Sequence, residues 1–554
     1  MNWRSCVLVL VLLAPARAET PERGGRLVVG VTADLTSCNP YLITDVPSAV
    51  MAGVMFNSLL ALNDQLELTG DLAEKWEVSP DGTAYTFWLR KGVHFHDGAE
   101  LTADDVLWTV DYIRNPKLRT VRTSLVKDIV RLEKLSPYEV RVHYAKPSCP
   151  ALSNWATLPI LPRHVLEGKD PNDNVYALDH AAPVGTGPFR FGAQKTGEHA
   201  TFRAFDGYFK GRPLLDEIVF REVPGQSTML ALLARREIDY ANLNLRQVYR
   251  ESRGDERFQS THELFTWELN SYSYLMWNND PARSPFFADR RVRQAMSYAL
   301  DVPRIGQQLM YGKGRQAVSI YHPQTWAHHP RLAPYPHDPE RARALLAEAG
   351  WKDLDADGLL EKDGRKFDFV LRYSAGSPVL NDLVTMVQAD LKKVGVRCRP
   401  QATEWTVLDR TLLAHRDFDA AFAIWVADPD PDCYEMWHSA SIPRGDDASG
   451  FNRVGFANAE ADRLIEQGQH LCERAARQQV YFRLQEVLHD EAPFTFLFHG
   501  PEFAALDRRV RWHRDAVTSR DDDHELGRPL IRISPRGLLT EDFLTHSWIP
   551  AAER

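Results

Sequence analysis

Phe367-Asp-Phe-Val-Leu-Arg-Tyr373 puts an aromatic or leucine at every second position, the period of a strand with one buried face. Leu380, Leu383, Val384, Val387 and Leu391 then recur at helical spacing, and Gly395 closes the run. Phe418, Ala420, Phe422 and Ile424 alternate once more. Strand, helix and strand at this separation predict a parallel βαβ unit. Just upstream, a second helix is written in its punctuation. Asp338 stands at the N-cap, Pro339 at the first helical position, Leu345, Leu346 and Ala349 on the inner face, and Gly350 at the end. Val292, Ala295, Met296, Ala299 and Leu300 mark another helix face. The middle and late chain is therefore α/β, built of open twisted sheets.

Nearer the N-terminus the signals are strands and tight turns. Arg26–Val31 reads as the first strand. Ser79-Pro-Asp-Gly82 is a turn, after which Tyr85, Phe87 and Leu89 alternate with Thr86, Trp88 and Arg90. A helix opens at Leu101, with Thr102 as N-cap and Asp105 close to a capping box.

Residues 1–18 read as an export signal. Arg4 is followed by the apolar run Val7–Leu13, then Pro15, then the small-x-small triplet Ala16-Arg17-Ala18. The run is too short for a permanent anchor, which needs roughly 20 apolar residues. Cys6 precedes the run, so no lipid anchor is expected. Cleavage after Ala18 would deliver Glu19–Arg554 to the periplasm.

The composition, 44% hydrophobic and 25% charged, is that of a globular protein, and the length predicts more than one core. Losing Arg4 and Arg17 takes the net charge from −9 to −11. That sign argues against nucleic acid as a partner, because phosphate neutralisation needs basic surface. Cys38, Cys149, Cys398, Cys433 and Cys472 remain after export to an oxidising compartment, where disulfides form. Their pairing stays open.

The search for catalytic or metal chemistry finds no GxSxG, HExxH or GxxxxGK[ST]. Gly185-Thr-Gly-Pro188 is glycine-rich, but Pro188 lacks the amide of a phosphate cradle, and a turn before the strand Phe189–Phe191 is the better reading. His94 and His96 share a strand face and could offer metal ligands; surface or core histidines are the commoner outcome. His328-His329, with His322 and His337, lie in a Pro-rich loop and read as solvated. Asp353-Leu-Asp-Ala-Asp-Gly358 begins like a calcium loop, but its twelfth position is Gly364 where a bidentate Glu belongs. It reads as a hairpin tip. Neither a metal nor a cofactor is expected.

One stretch does suggest a site: Ala423-Ile-Trp-Val-Ala-Asp-Pro-Asp-Pro-Asp-Cys-Tyr-Glu-Met-Trp437. Open α/β sheets bind ligands beyond the carboxyl ends of their strands, which is where Trp425 and Asp428 fall. An aspartate there can pair with an ammonium, and a tryptophan can cover an apolar side chain. A rigid acidic loop is the competing reading.

Asp71-Leu-Ala-Glu-Lys-Trp76, Ser79-Pro-Asp-Gly82, Phe87-x-Leu-Arg-Lys-Gly-Val-x-Phe-His-Asp-Gly98 and Leu101-Thr-Ala-Asp-Asp-Val106 resemble the signature region of the family-5 extracellular solute-binding proteins. These are the dipeptide-, oligopeptide- and nickel-binding components of ABC importers. Gly185-Thr-Gly-Pro-Phe189, Arg236-Glu-Ile-Asp239, Asp289-Arg-Arg-Val-Arg-Gln-Ala-Met296 and Trp425-Val-Ala-Asp428 follow in that family's order. The likeness runs from about residue 26 to residue 510.

The resemblance implies a two-lobed periplasmic binding protein of the class with an extra third domain, with open mixed sheets and flanking helices. Its divisions would be the signal peptide 1–18, lobe I in three parts (19–59, 183–274 and 491–554), the extra domain 60–182 and lobe II 275–490. Lobes that close on a ligand would present it to permease subunits in the inner membrane. The resemblance further implies a monomer without catalysis. It assigns Asp428 to a ligand's α-ammonium, Trp425 and Trp405 to pocket walls, and Arg410 to polar contacts. Leu35, Thr36 and Ser37 would pair with an extended ligand, and Phe496 and Phe498 would supply late aromatic contacts. Pro429-Asp-Pro-Asp432 replaces an asparagine-rich stretch of the oligopeptide binders, and its added negative charge favours a cationic ligand or a metal complex. A short peptide is the favoured solute; nickel chelates, opines, sugars and antibiotics are the alternatives, and a periplasmic hydrolase is the alternative of another class.

Overall fold

The computed structural model describes residues 21–43, 45–63, 67–120, 122–172, 183–248, 252, 255–405, 407–428, 430–444, 450–512, 517–521, 530–533 and 539–553; at 124, 410, 517–521 and 530–533 it describes the backbone alone. The stretch read as an export signal, residues 1–18, lies outside these. No helix of the described residues is long and apolar enough to cross a membrane.

A parallel βαβ unit is present, within a five-stranded mixed sheet, but its second strand is Arg397–Thr403 where the sequence points to the strand at Ala420–Val426. The strands of this sheet run in the order Arg397–Thr403, Asp368–Ser374, Ala420–Val426, Ser271–Trp277, Phe494–Phe496. The first three are parallel to one another, and the helix Pro378–Lys393 makes the crossover. Arg397–Thr403 is a strand the sequence reading passed over. Only Cys398 is buried along it, so an edge strand shows no clean alternation. The helix Pro339–Glu348 has its N-cap where the punctuation placed it, the Asp338 carboxylate accepting from the Arg341 amide at 2.9 Å.

A nine-stranded sheet gathers strands from Arg26–Val31 through Glu217–Glu222 and Tyr240–Leu243 to Pro501–Asp507. Two reciprocal ion pairs staple these distant segments. Arg236 Nε meets Asp507 Oδ2 at 2.6 Å, and Arg509 Nε meets Asp239 Oδ1 at 2.6 Å. Asp239 also accepts the Val28 amide. The Arg236-Glu-Ile-Asp239 motif thus supplies one partner to each pair.

A four-stranded antiparallel sheet, Ala73–Val78, Ala84–Leu89, Glu139–Tyr144 and Ile129–Ser136, carries the helix Ala103–Ile113. That helix has the capping box read in the sequence, the Asp105 carboxylate accepting from the Thr102 amide at 2.9 Å. The four-stranded subdomain and the nine-stranded sheet share one continuous core, in which Leu27, Phe202 and Phe265 join Phe87, Val106 and Val140. Residues 271–499 hold two cores of their own. The molecule is therefore two bodies. Among the described residues the chain passes between them at Glu268–Ser271 and at His499–Pro501, side by side: His499 Nδ1 donates to the Ser271 carbonyl at 2.7 Å.

The Gly185–Pro188 turn seals the subdomain to the large sheet. His96 Nδ1 accepts the Gly185 amide, His96 Nε2 donates to the Gly187 carbonyl at 3.0 Å, and the Gly187 amide bonds Met55 O at 2.8 Å. Burial lowers the His96 pKa to about 4, so the ring is neutral. A methyl group on Gly187 would lie 2.6 Å from Val54 O and 2.7 Å from Phe56 N, both backbone atoms that cannot step aside. Gly187→Ala should therefore cost about 3 kcal/mol of stability, measured by urea unfolding; an unchanged midpoint would refute the close-packing account.

Candidate ligand-binding site

A cavity of about 280 Å³ opens between the four-stranded subdomain and the second body. Its back wall is the strand Ala420–Val426 and the residues just beyond it. Trp425 is half-buried and packs edge-on against Phe451, ring centroids 5.4 Å apart. Asn270, in the chain crossing, fixes the turn after the strand: its carbonyl accepts the Ala427 amide at 2.7 Å, and its Nδ2 donates to Asp428 O at 3.1 Å.

The Asp428 side chain reaches solvent through the cavity mouth, yet protein stands close around it. Burial therefore raises its carboxyl above the ordinary value, and Arg122 across the cavity partly offsets this. Among the described residues, no hydrogen bond or ion pair engages the Asp428 carboxylate or the Arg122 guanidinium. The same strand has a second property. It pairs with Ser271–Trp277 along its whole length, but with Asp368–Ser374 only at Ala420 and Ala421. From Phe422 to Val426 the other edge has no strand partner among the described residues, and Ile424 and Val426 are exposed.

Two of the three loop aspartates are engaged by the protein itself. Asp430 receives a bidentate grip from Arg477, at 2.8 and 2.6 Å, and accepts the Asp432 amide. Asp432 accepts from Gln469 Nε2 at 2.9 Å and from the Tyr434 amide. Arg477 offsets the charge of Asp430, and the loop is latched to the helix Arg474–Glu491 behind it.

The remaining candidates scatter. Trp405 is 52% exposed beyond the end of Arg397–Thr403 and does not line the cavity. Arg410 has its backbone in the π-helix Val407–Leu413; its side chain is outside the described set. Leu35, Thr36 and Ser37 do not line the cavity. The Leu35 carbonyl takes Gln194 Nε2, the Thr36 amide bonds Ser48 Oγ at 2.9 Å, and Ser37 Oγ accepts the Asn39 amide. Phe496 is half-buried against Tyr272. Phe498 is corrected outright: it is a core residue of the second body, packed over Gly306, where a β-carbon would strike its ring.

The subdomain's contribution was missed. Arg122, Lys127 and Asn154 line the cavity, and Lys127 Nζ sits 3.5 Å over the Tyr434 ring. The one trace in the sequence is the cationic run Lys117, Arg119, Arg122, Lys127. The candidate metal sets resolve otherwise. Lys366 pairs with both Asp355 and Asp357. Among the His-rich loop, His322 and His329 are buried rather than solvated. Of the five cysteines, Cys149 and Cys472 are bridged, and Cys38, Cys398 and Cys433 are free thiols.

Residues 67–445 match the family model of bacterial extracellular solute-binding proteins, family 5, middle region. The oligopeptide-binding protein AppA of Bacillus subtilis is 32% identical over 512 residues, covering 90% of this chain and 91% of that one. Its structure with a nonapeptide superposes with a TM-score of 0.78, covering 92% of this chain and 100% of that one at 30% identity. NikZ of Campylobacter jejuni, solved with Ni(L-His), has a TM-score of 0.79 at 25% identity, covering 88% and 94%. The dipeptide-binding protein of Escherichia coli is 27% identical over 501 residues, 85% of this chain and 89% of that one.

Arg477 and Asp430 are both almost wholly buried. Arg477→Ala should strand the carboxylate and cost about 3–5 kcal/mol. Chemical denaturation reads the loss; a cost below that of an exposed ion pair would show that the latch is absent in solution.

Proposed function

The chain belongs to the family-5 bacterial extracellular solute-binding proteins, and from that premise we propose that it captures a short peptide between its two bodies and delivers it to an ABC permease in the inner membrane. Members of this family are solute-binding components of transporters, periplasmic or extracellular. The finer reading is that the signal 1–18 is removed after Ala18, that the mature protein is a periplasmic monomer, and that it turns nothing over. In this reading the first body comprises lobe I (19–59, 183–274, 491–554) with the extra domain 60–182, and the second body is lobe II, 275–490.

The observation that carries the peptide is the half-paired strand Ala420–Val426. An extended peptide satisfies its own backbone by adding to an open strand edge, and alternate side chains then fall to opposite faces. Phe422–Val426 offers that edge, with Asp428 at its C-terminal end as an unpartnered carboxylate. A ligand's α-ammonium would sit on Asp428, and its apolar side chain against Trp425. Arg122, on the opposite wall of the cavity, would take an anionic group of the same ligand.

Isothermal titration with di- and tripeptides, free and N-acetylated, tests this. Acetylation removes the ammonium, and Asp428→Asn removes its partner. Each should weaken binding by about 2–5 kcal/mol. Equal affinity for acetylated and free peptides would sink the reading and turn attention to non-peptide solutes.

The pH dependence follows from the raised Asp428 carboxyl. A peptide ammonium stays charged throughout the acid range, whereas Asp428 takes up a proton as pH falls through its raised pKa. Affinity should therefore decline at a higher pH than an unperturbed carboxylate would dictate. The Asp428→Asn protein should show a flat profile over the same interval.

A further inference from the structure

We propose that the Cys149–Cys472 disulfide is a strap across the cleft, holding the two bodies together at one rim and so limiting how far they part about the hinge at the two chain crossings. The bridge joins residues 323 positions apart, with a Cα–Cα distance of 5.1 Å. Cys149 belongs to the four-stranded subdomain, whose Tyr85 hydroxyl holds the neighbouring Ser148 carbonyl at 2.8 Å. Cys472 lies between the helices Ala459–His470 and Arg474–Glu491 of the second body. The subdomain shares its core with the nine-stranded sheet, so the strap ties the whole first body to the second.

The two chain crossings alone would leave a hinge. Rotation about that hinge carries apart points far from it. The cavity is bordered both by Tyr272, next to the Ser271 crossing, and by Pro150, next to Cys149, so the bridge and the crossings are two separate ties beside the same cavity. A disulfide holds its Cα atoms within about 7 Å. Full opening there is therefore forbidden while the S–S bond is intact. Contacts at the same rim close it further. The Cys149 amide bonds Gln469 O at 2.9 Å, and His470 Nδ1 donates to Pro147 O at 2.7 Å. The motion that remains is rotation about a line through the hinge and the bridge.

Three ligand-free samples test the strap: the oxidised protein, Cys149→Ser/Cys472→Ser, and oxidised protein treated with a phosphine reductant, each checked for native circular dichroism. Small-angle scattering should shift to a larger radius of gyration in the second and third. Iodoacetamide added to denatured, unreduced protein should label Cys38, Cys398 and Cys433 alone. Where a peptide binds, the unstrapped forms should release it about tenfold faster. Equal radii in all three samples, or alkylation of Cys149 or Cys472 without reductant, overturns the proposal. Scattering and alkylation need no ligand, so a failure of the peptide reading would leave them informative.

Discussion

The hydrogen bond from His499 Nδ1 to the Ser271 carbonyl fastens together the two places where the chain passes from one body to the other. Burial lowers the His499 pKa to about 4, which keeps the ring neutral and so able to donate from Nδ1 while Nε2 carries the lone pair. Because the crossings are neighbours, the second body is hung from a narrow line. His322 crowds the same line, its ring 4.6 Å from that of His499 and its Nε2 3.4 Å from Glu268. A cleft can exist between the bodies because, among the described residues, the chain itself passes between them only at these two neighbouring crossings.

The site grows out of that junction. Ser271–Trp277 leaves the crossing and becomes the neighbour of Ala420–Val426, and Asn270 reaches over to hold the turn that presents Asp428. A rigid scaffold thus positions one unpaired charge at the end of one unpaired strand edge. The other two loop carboxylates are held from within, Asp430 by Arg477 and Asp432 by Gln469. Among the three, Asp428 alone has a carboxylate that no hydrogen bond or ion pair of the described residues engages.

The sequence made legible what depends on local period and local punctuation. The faces of Asp368–Ser374 and Pro378–Lys393, the cap at Asp338 and the strand ending before Asp428 are all readable from neighbours within a few residues. What it could not show depends on distant partners. Asp430 looks like a free ligand charge until Arg477, 47 residues later, is brought beside it. The family resemblance assigns Phe498 to the pocket, yet the helix Val302–Leu309, nearly two hundred residues earlier, packs Gly306 on its ring and makes it core. Arg122 carries no local signature beyond its basic neighbours, since its role comes from which wall faces the strand end. The Cys149–Cys472 pairing joins separate bodies and is invisible to spacing.

The shared core of the four-stranded subdomain and the nine-stranded sheet changes which part of this protein counts as a module. By chain order the subdomain looks like an insert within lobe I, yet Leu27 and Phe265 pack in one interior with Phe87 and Val106. Excising it would strip apolar surface from the sheet that remains. Residues 271–499, by contrast, begin and end at adjacent points and enclose their own interiors. Chain ends that meet are what grafting and circular permutation exploit. The portable unit, for anyone who would build a sensor or a chimera from this scaffold, is the second body, with the Cys149–Cys472 disulfide as a covalent stitch to cut.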